Sequence, residues 1–161
     1  MRGIDIIRDY FEKMRSLYGV DAKERVFFEH YLKDLKEVRC YPAAEVLTKE
    51  EISYIKKRVI LIPKECYSNA LHVSQILAET YADIAYVEGV ALAGEVLPIS
   101  HAFVKVGSKY IDPTFEWVLD KDVEKETYAV LGEWNTDEAL KRMAKWGTYG
   151  DVYVNSILQD L

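Results

Sequence analysis

The chain is short of cysteine, histidine, proline, asparagine and glutamine, with two, three, four, three and two of them among 161 residues. Two cysteines cannot build a disulfide scaffold. With three scattered histidines they also do not supply the clustered Cys/His spacing that zinc needs, so no metal site is expected. No Gly/Ser-rich linker and no phosphate-cradling glycine loop occurs, and no cofactor is expected. No apolar run approaches the about 18 residues of a membrane span. The opening stretch Met1–Asp9 places charges inside any would-be apolar core, unlike a secretory leader. Positive charge is in deficit: 21 Lys+Arg stand against 27 Asp+Glu, a net charge of −6. That balance argues against a duplex-binding protein, which needs clustered basic groups to neutralise phosphates. The expectation left standing is a soluble, cytoplasmic protein that engages neither membrane nor nucleic acid.

What is present is ordinary globular composition, half of it hydrophobic, in a length that favours one domain over residues 1–161. Residues 1–62 read as a helical region. Ile4, Ile7, Phe11, Met14 and Tyr18 fall near helical spacing before Gly19, and a second helical pattern runs over 22–39. Thr48 and Glu51 have the spacing of a capping box for a helix through about residue 58. Pro63 suits a first helical position, with Cys66, Ala70, Val73, Leu77 and Tyr81 along one stripe behind it. Short β-like segments follow at 84–92, 99–106 and 109–112, the last two joined by Gly107-Ser108 as a two-residue hairpin loop. Residues 114–135 show no regular pattern. Thr136 or Asp137 suits a helix cap, Gly147 a helix end, and 148–161 is a mixed tail. Helices followed by a meander predict an α+β fold, with 63–116 as its core and 117–161 completing it.

Chemistry concentrates in that core. Free thiols have a pKa near about 8.5, and helix N-termini or a neighbouring imidazolium favour the thiolate. Cys66 is expected at a helix start, where orphan N–H groups and the helix dipole gather positive charge and its own N–H can donate to an oxyanion. A two-residue loop at 107–108 pairs 106 with 109, 104 with 111 and 103 with 112. Alternation then puts His101, Phe103 and Lys105 on one face with Thr114, Asp112 and Tyr110, while Ala102, Val104, Val106 and Ile111 form a core face. An imidazole beside a carboxylate, downstream of a cysteine at a helix start, is the base-plus-orienter arrangement of a nucleophile triad. Cys40, just before Tyr41-Pro42, reads as helix-end packing. His72, six residues past Cys66, points away from the same cleft, and His30 lies in a charged helix.

The series Lys-Glu-Cys66, Tyr86-Val-Glu-Gly, His101-Ala-Phe-Val and Asp112-Pro-Thr resembles the transglutaminase-like branch of the papain-like cysteine enzymes. The resemblance covers residues 64–116 and implies a papain-like α+β core with Cys66 as nucleophile, His101 as base and Asp112 as orienter. It departs from the family at Lys64-Glu65, where glycine is frequent before the cysteine, and at Phe103, where tryptophan is usual. No Gln, Asn or Trp precedes Cys66 to donate to the oxyanion; Tyr41 and Tyr54 are the side-chain candidates, and Asn69, one turn beyond Cys66, is a candidate for orienting the site.

These readings together imply a cysteine-dependent acyl transfer through a thioester, with hydrolysis of a peptide or other amide bond (peptidase, deamidase or amidase) favoured over transamidation. Two alternatives stand beside it. One is a catalytically inert module of the same fold that binds a protein partner through the N-terminal helices. The other is acyl transfer of the arylamine N-acetyltransferase kind.

Overall fold

The computed structural model describes residues 2–160. Two helices open the chain, α1 (Gly3–Ser16) and α2 (Lys23–Asp34). The helix expected over 22–39 ends early, because Lys36–Val38 become strand β1 and pair antiparallel with residues almost a hundred positions away. Sheet pairing with a distant strand overrides a weak local helical pattern. Helix α3 (Lys49–Arg58) begins with the expected capping box: the Glu51 N–H donates to Thr48 Oγ1 at 3.1 Å and the Thr48 N–H to Glu51 Oε1 at 2.9 Å.

Pro63 does not open the next helix. It occupies the second position of a turn over 62–65, closed by the Glu65 N–H donating to the Ile62 carbonyl at 3.2 Å. Lys64 takes the third position with φ 68°, the left-handed conformation of a type II turn. Helix α4 (Cys66–Ala78) then starts at the cysteine itself.

Strands β2 (Ile84–Ala93), β3 (Leu97–Val106) and β4 (Lys109–Ile111) form a meander. Gly107, with φ 61°, supplies the positive φ that the β3–β4 turn needs, and the register is the expected one, Val104 opposite Ile111 and Val106 opposite Lys109. Residues 114–135 are not irregular throughout. After a π-helical turn at Thr114–Val118 they form the nine-residue strand β5 (Thr127–Asn135). Helix α5 (Thr136–Trp146) follows, capped by Asn135, whose Oδ1 accepts the Glu138 N–H at 2.8 Å, instead of by Thr136 or Asp137. It ends at Gly147, and α6 (Val152–Gln159) closes the described chain.

The fold is α+β, with a curled antiparallel sheet in the order β1-β5-β2-β3-β4. One face of β2 and β3, through Tyr86, Ala102 and Val104, packs on α3, α4 and α5. The other face, through Val87 and Phe103, meets Cys40, Tyr110, Phe115 and Tyr128. Helix α1 and Leu35 cover Val90, Leu92 and Ala129 at the far end. Gly89 sits where β2 and β5 shift register, and a Cβ there would lie 1.9 Å from the Ala129 carbonyl oxygen, so only glycine permits the two backbones to approach this closely. Among the described residues no helix is long and apolar enough to cross a membrane.

Candidate active site

Three elements deliver the three sequence-derived residues. The β3–β4 hairpin carries His101 on one strand and Asp112 just past the end of the other, and their side chains meet: His101 Nε2 lies 2.7 Å from Asp112 Oδ2. A carboxylate only accepts, so the proton of this bond sits on Nε2 and Nδ1 is left for another partner. Cys66 is a neighbour of the same imidazole and helps to raise its pKa. Cys66 occupies the first position of α4, half-buried. Its N–H belongs to the turn in which a helix provides no acceptor, and no other acceptor meets it among the described residues.

The pair is deeply placed. His101 is 2% exposed and Asp112 1%. Burial pulls the imidazole's pKa down, but the Asp112 charge, the Asp112 hydrogen bond and the Cys66 contact outweigh it, and the pKa is pushed up to about 10. The Phe115 ring lies 4.3 Å from the imidazole centroid, and Phe103 and Tyr128 lie 6.1 and 6.3 Å away. These rings hold the imidazole plane and exclude water around the His101–Asp112 bond, where a lower local dielectric strengthens it.

No family model, curated protein or solved structure matches this chain.

The geometry therefore carries the functional reading by itself, and it contains two residues that sequence reasoning passed over. Tyr128 donates its hydroxyl to Asp112 Oδ2 at 2.7 Å, the same oxygen that His101 uses, and the Phe115 N–H donates to Oδ1 at 3.2 Å. Tyr128 belongs to β5, which brings it in through the pairing of Tyr128 with Ala91. The available signal was the β-like run Tyr-Ala-Val-Leu at 128–131. Glu88 is the second. A lone carboxylate in the apolar run of β2, it is 4% exposed and accepts from the Val152 and Tyr153 N–H groups at 3.0 and 2.8 Å, capping α6. Its other neighbour is Tyr86, whose hydroxyl donates to Oε2 at 2.6 Å.

The remaining sequence-derived candidates are placed as follows. Asn69 is 1% exposed, and all its polar atoms bond within the protein: Nδ2 donates to the Ile62 carbonyl at 2.9 Å and to Thr114 Oγ1 at 3.0 Å, and Oδ1 accepts the Ile62 N–H at 3.0 Å. Phe103 is fully buried behind the imidazole. The Tyr41 ring is flanked by the guanidinium of Arg39 and the ammonium of Lys109. Tyr54 is exposed on α3 beneath Arg58. Among the described residues neither tyrosine hydroxyl bonds to Cys66 or His101. Cys40 is not at a helix end; it is buried beside Tyr110 in an isolated bridge, and burial, with the Asp112 charge, pushes its thiol up. His72 faces Tyr149. No three His, Cys, Asp or Glu side chains converge as a metal site among the described residues.

Proposed function

We propose that the protein is a cysteine-dependent acyl-transfer enzyme that hydrolyses an amide bond through a thioester. The observation that carries this reading is the 2.7 Å His101–Asp112 bond, with Cys66 at the start of α4 a neighbour of the imidazole. Cys66 passes its thiol proton to the imidazole nitrogen that Asp112 does not hold, its sulfur bonds to the carbonyl carbon, and His101 gives that proton to the departing amine as the C–N bond breaks. Water then attacks the thioester, His101 takes its proton, and the C–S bond breaks to return the thiol. Asp112 keeps the imidazole in the tautomer both steps need. The Cys66 N–H at the start of α4, which meets no acceptor among the described residues, supports an oxyanion contact.

The transglutaminase-like resemblance, with the papain-like core it implies, agrees with this reading, which includes transamidation when an amine replaces water. The near-complete burial of His101 favours one second reading, an inert module of the same fold that binds a protein partner. Labelling with a thiol-directed acyl probe separates the two. The enzyme is expected to label at Cys66, not at Cys40, and labelling is expected to fall at least about tenfold in His101→Ala. Labelling of Cys66 that is indifferent to His101, together with no turnover on peptide and glutamine-amide substrates, favours the module.

A further inference from the structure

A cavity of about 240 Å³ is lined by sequence neighbours of Cys66 and His101, though by neither of the two themselves. Its wall includes Tyr67, the residue after Cys66; Ser100, the residue before His101; and Gly89, the cross-strand partner of His101. Ser100 and Asp151 are exposed at its rim, while Glu88 and Phe11 are buried within it. A void of about 150 Å³ already admits a benzene ring, so this one has room for a long side chain.

The lining is chemically one-sided. Aromatic rings from three helices make one wall, with Phe11, Phe28 and Tyr31 at mutual centroid distances of 5.1 to 6.2 Å and Tyr153 stacked on Tyr31 at 5.7 Å. Glu88 and Asp151 are its charged residues, and no Lys, Arg or His lines it among the described residues. Glu88 Oε1 accepts one hydrogen bond, from Tyr153, and keeps a further lone pair. Burial raises the Glu88 carboxyl, with the hydrogen bonds from Tyr153, Tyr86 and Val152 opposing, so its negative charge gains from a neighbouring cation. Aromatic faces and a desolvated carboxylate share one complementary ligand chemistry: both attract positive charge.

We propose that this cavity is the recognition pocket for a cationic group, an alkylammonium or guanidinium, carried by the acyl compound that Cys66 attacks. The acyl-compound half rests on the acyl-transfer reading above; the preference of the cavity for a cation does not. The carbonyl carbon sits at Cys66, and the cation reaches past Tyr67 and Ser100 toward Glu88.

Two measurements on the full chain test it. The first compares hydrolysis of arylamides of N-acyl lysine, norleucine and glutamate. The lysine compound is expected to exceed the isosteric norleucine compound at least about tenfold in kcat/KM, and the glutamate compound to be slowest. Glu88→Gln is expected to bring lysine and norleucine together. Asp151→Asn, at the N-cap of α6, suits the left-handed backbone at φ 54° and removes no side-chain capping bond; it is expected to narrow the gap partway. Turnover with no preference for lysine overturns the pocket. The second is an NMR titration of the ring resonances of Tyr31 and Phe28 with n-pentylammonium and with 1-pentanol. Saturable shifts with the ammonium alone, weakened in Glu88→Gln or Asp151→Asn, support the cation pocket, and equal or absent shifts overturn it. Absence of turnover on all three arylamides overturns the acyl-transfer half, and the titration still decides the cation half.

Discussion

Asn69 and Thr114 are joined by a 3.0 Å hydrogen bond that ties α4 to the segment just after Asp112. The same amide closes on both backbone polar atoms of Ile62, before the turn that leads into Cys66. One buried side chain thus sets the position of the cysteine relative to the hairpin that holds its partners. Substitution Asn69→Ala leaves the Ile62 N–H and the Thr114 hydroxyl without their partner, at a cost of about 2–4 kcal/mol in stability. Urea unfolding measures it. A further loss in the rate of Cys66 labelling, under conditions where the variant is fully folded, reads the positioning role separately.

Asp112 Oδ2 accepts from both His101 and Tyr128. With Asp112→Asn the residue can donate in place of accepting, the imidazole tautomer is no longer held, and kcat is expected to fall about 10³–10⁴-fold. Tyr128→Phe keeps the ring in its packing and removes one donor to the carboxylate. It is expected to cost about 1.5–3 kcal/mol in stability and to shift the pH–rate profile, because the Asp112 charge then falls more fully on His101. An unchanged profile assigns Tyr128 to packing alone.

The His101 pKa is raised in the folded protein to about 10, against about 6.5 for the unfolded chain. A raised pKa means that the native state holds the proton more tightly. The stabilisation is therefore complete below about pH 6.5 and is lost as the pH rises toward about 10. Urea midpoints from pH 6 to 10 are expected to fall more steeply in the natural chain than in His101→Gln. Parallel curves would show that the His101 proton is not linked to folding.

Gly89 pairs with His101 across β2 and β3 while touching the backbone of β5. In Gly89→Ala the added carbon collides with a carbonyl oxygen that has no side-chain freedom to yield. The expected loss is about 2–4 kcal/mol, visible as a lowered Tm, with His101 displaced from Asp112 in whatever folded fraction remains.

Much of the site was legible because its partners are local. The pairing of Val104 with Ile111 follows from a two-residue loop and a side-chain period of two, and that arithmetic is enough to put His101 and Asp112 on one face. The capping box at Thr48 and Glu51 is equally short-range. By contrast, β1 and β5 are paired with each other and β5 with β2, over separations at which periodicity carries no information. The unpaired Leu131, where β5 bulges opposite Glu88 and Gly89, also breaks the alternation by which a strand is read.

The sequence by itself determined the order of Cys66, His101 and Asp112 along the chain, and the hairpin register that unites the last two. Tertiary structure alone decided what surrounds them. It brought Tyr128 to Asp112, sealed His101 among aromatic rings, removed Tyr54 to the surface, and set Glu88 beneath an aromatic wall built from α1, α2 and α6. The physical reason is one of range. Turn geometry and side-chain alternation act over a few residues, whereas burial and the hydrogen bonds of buried groups depend on which distant elements the sheet brings together.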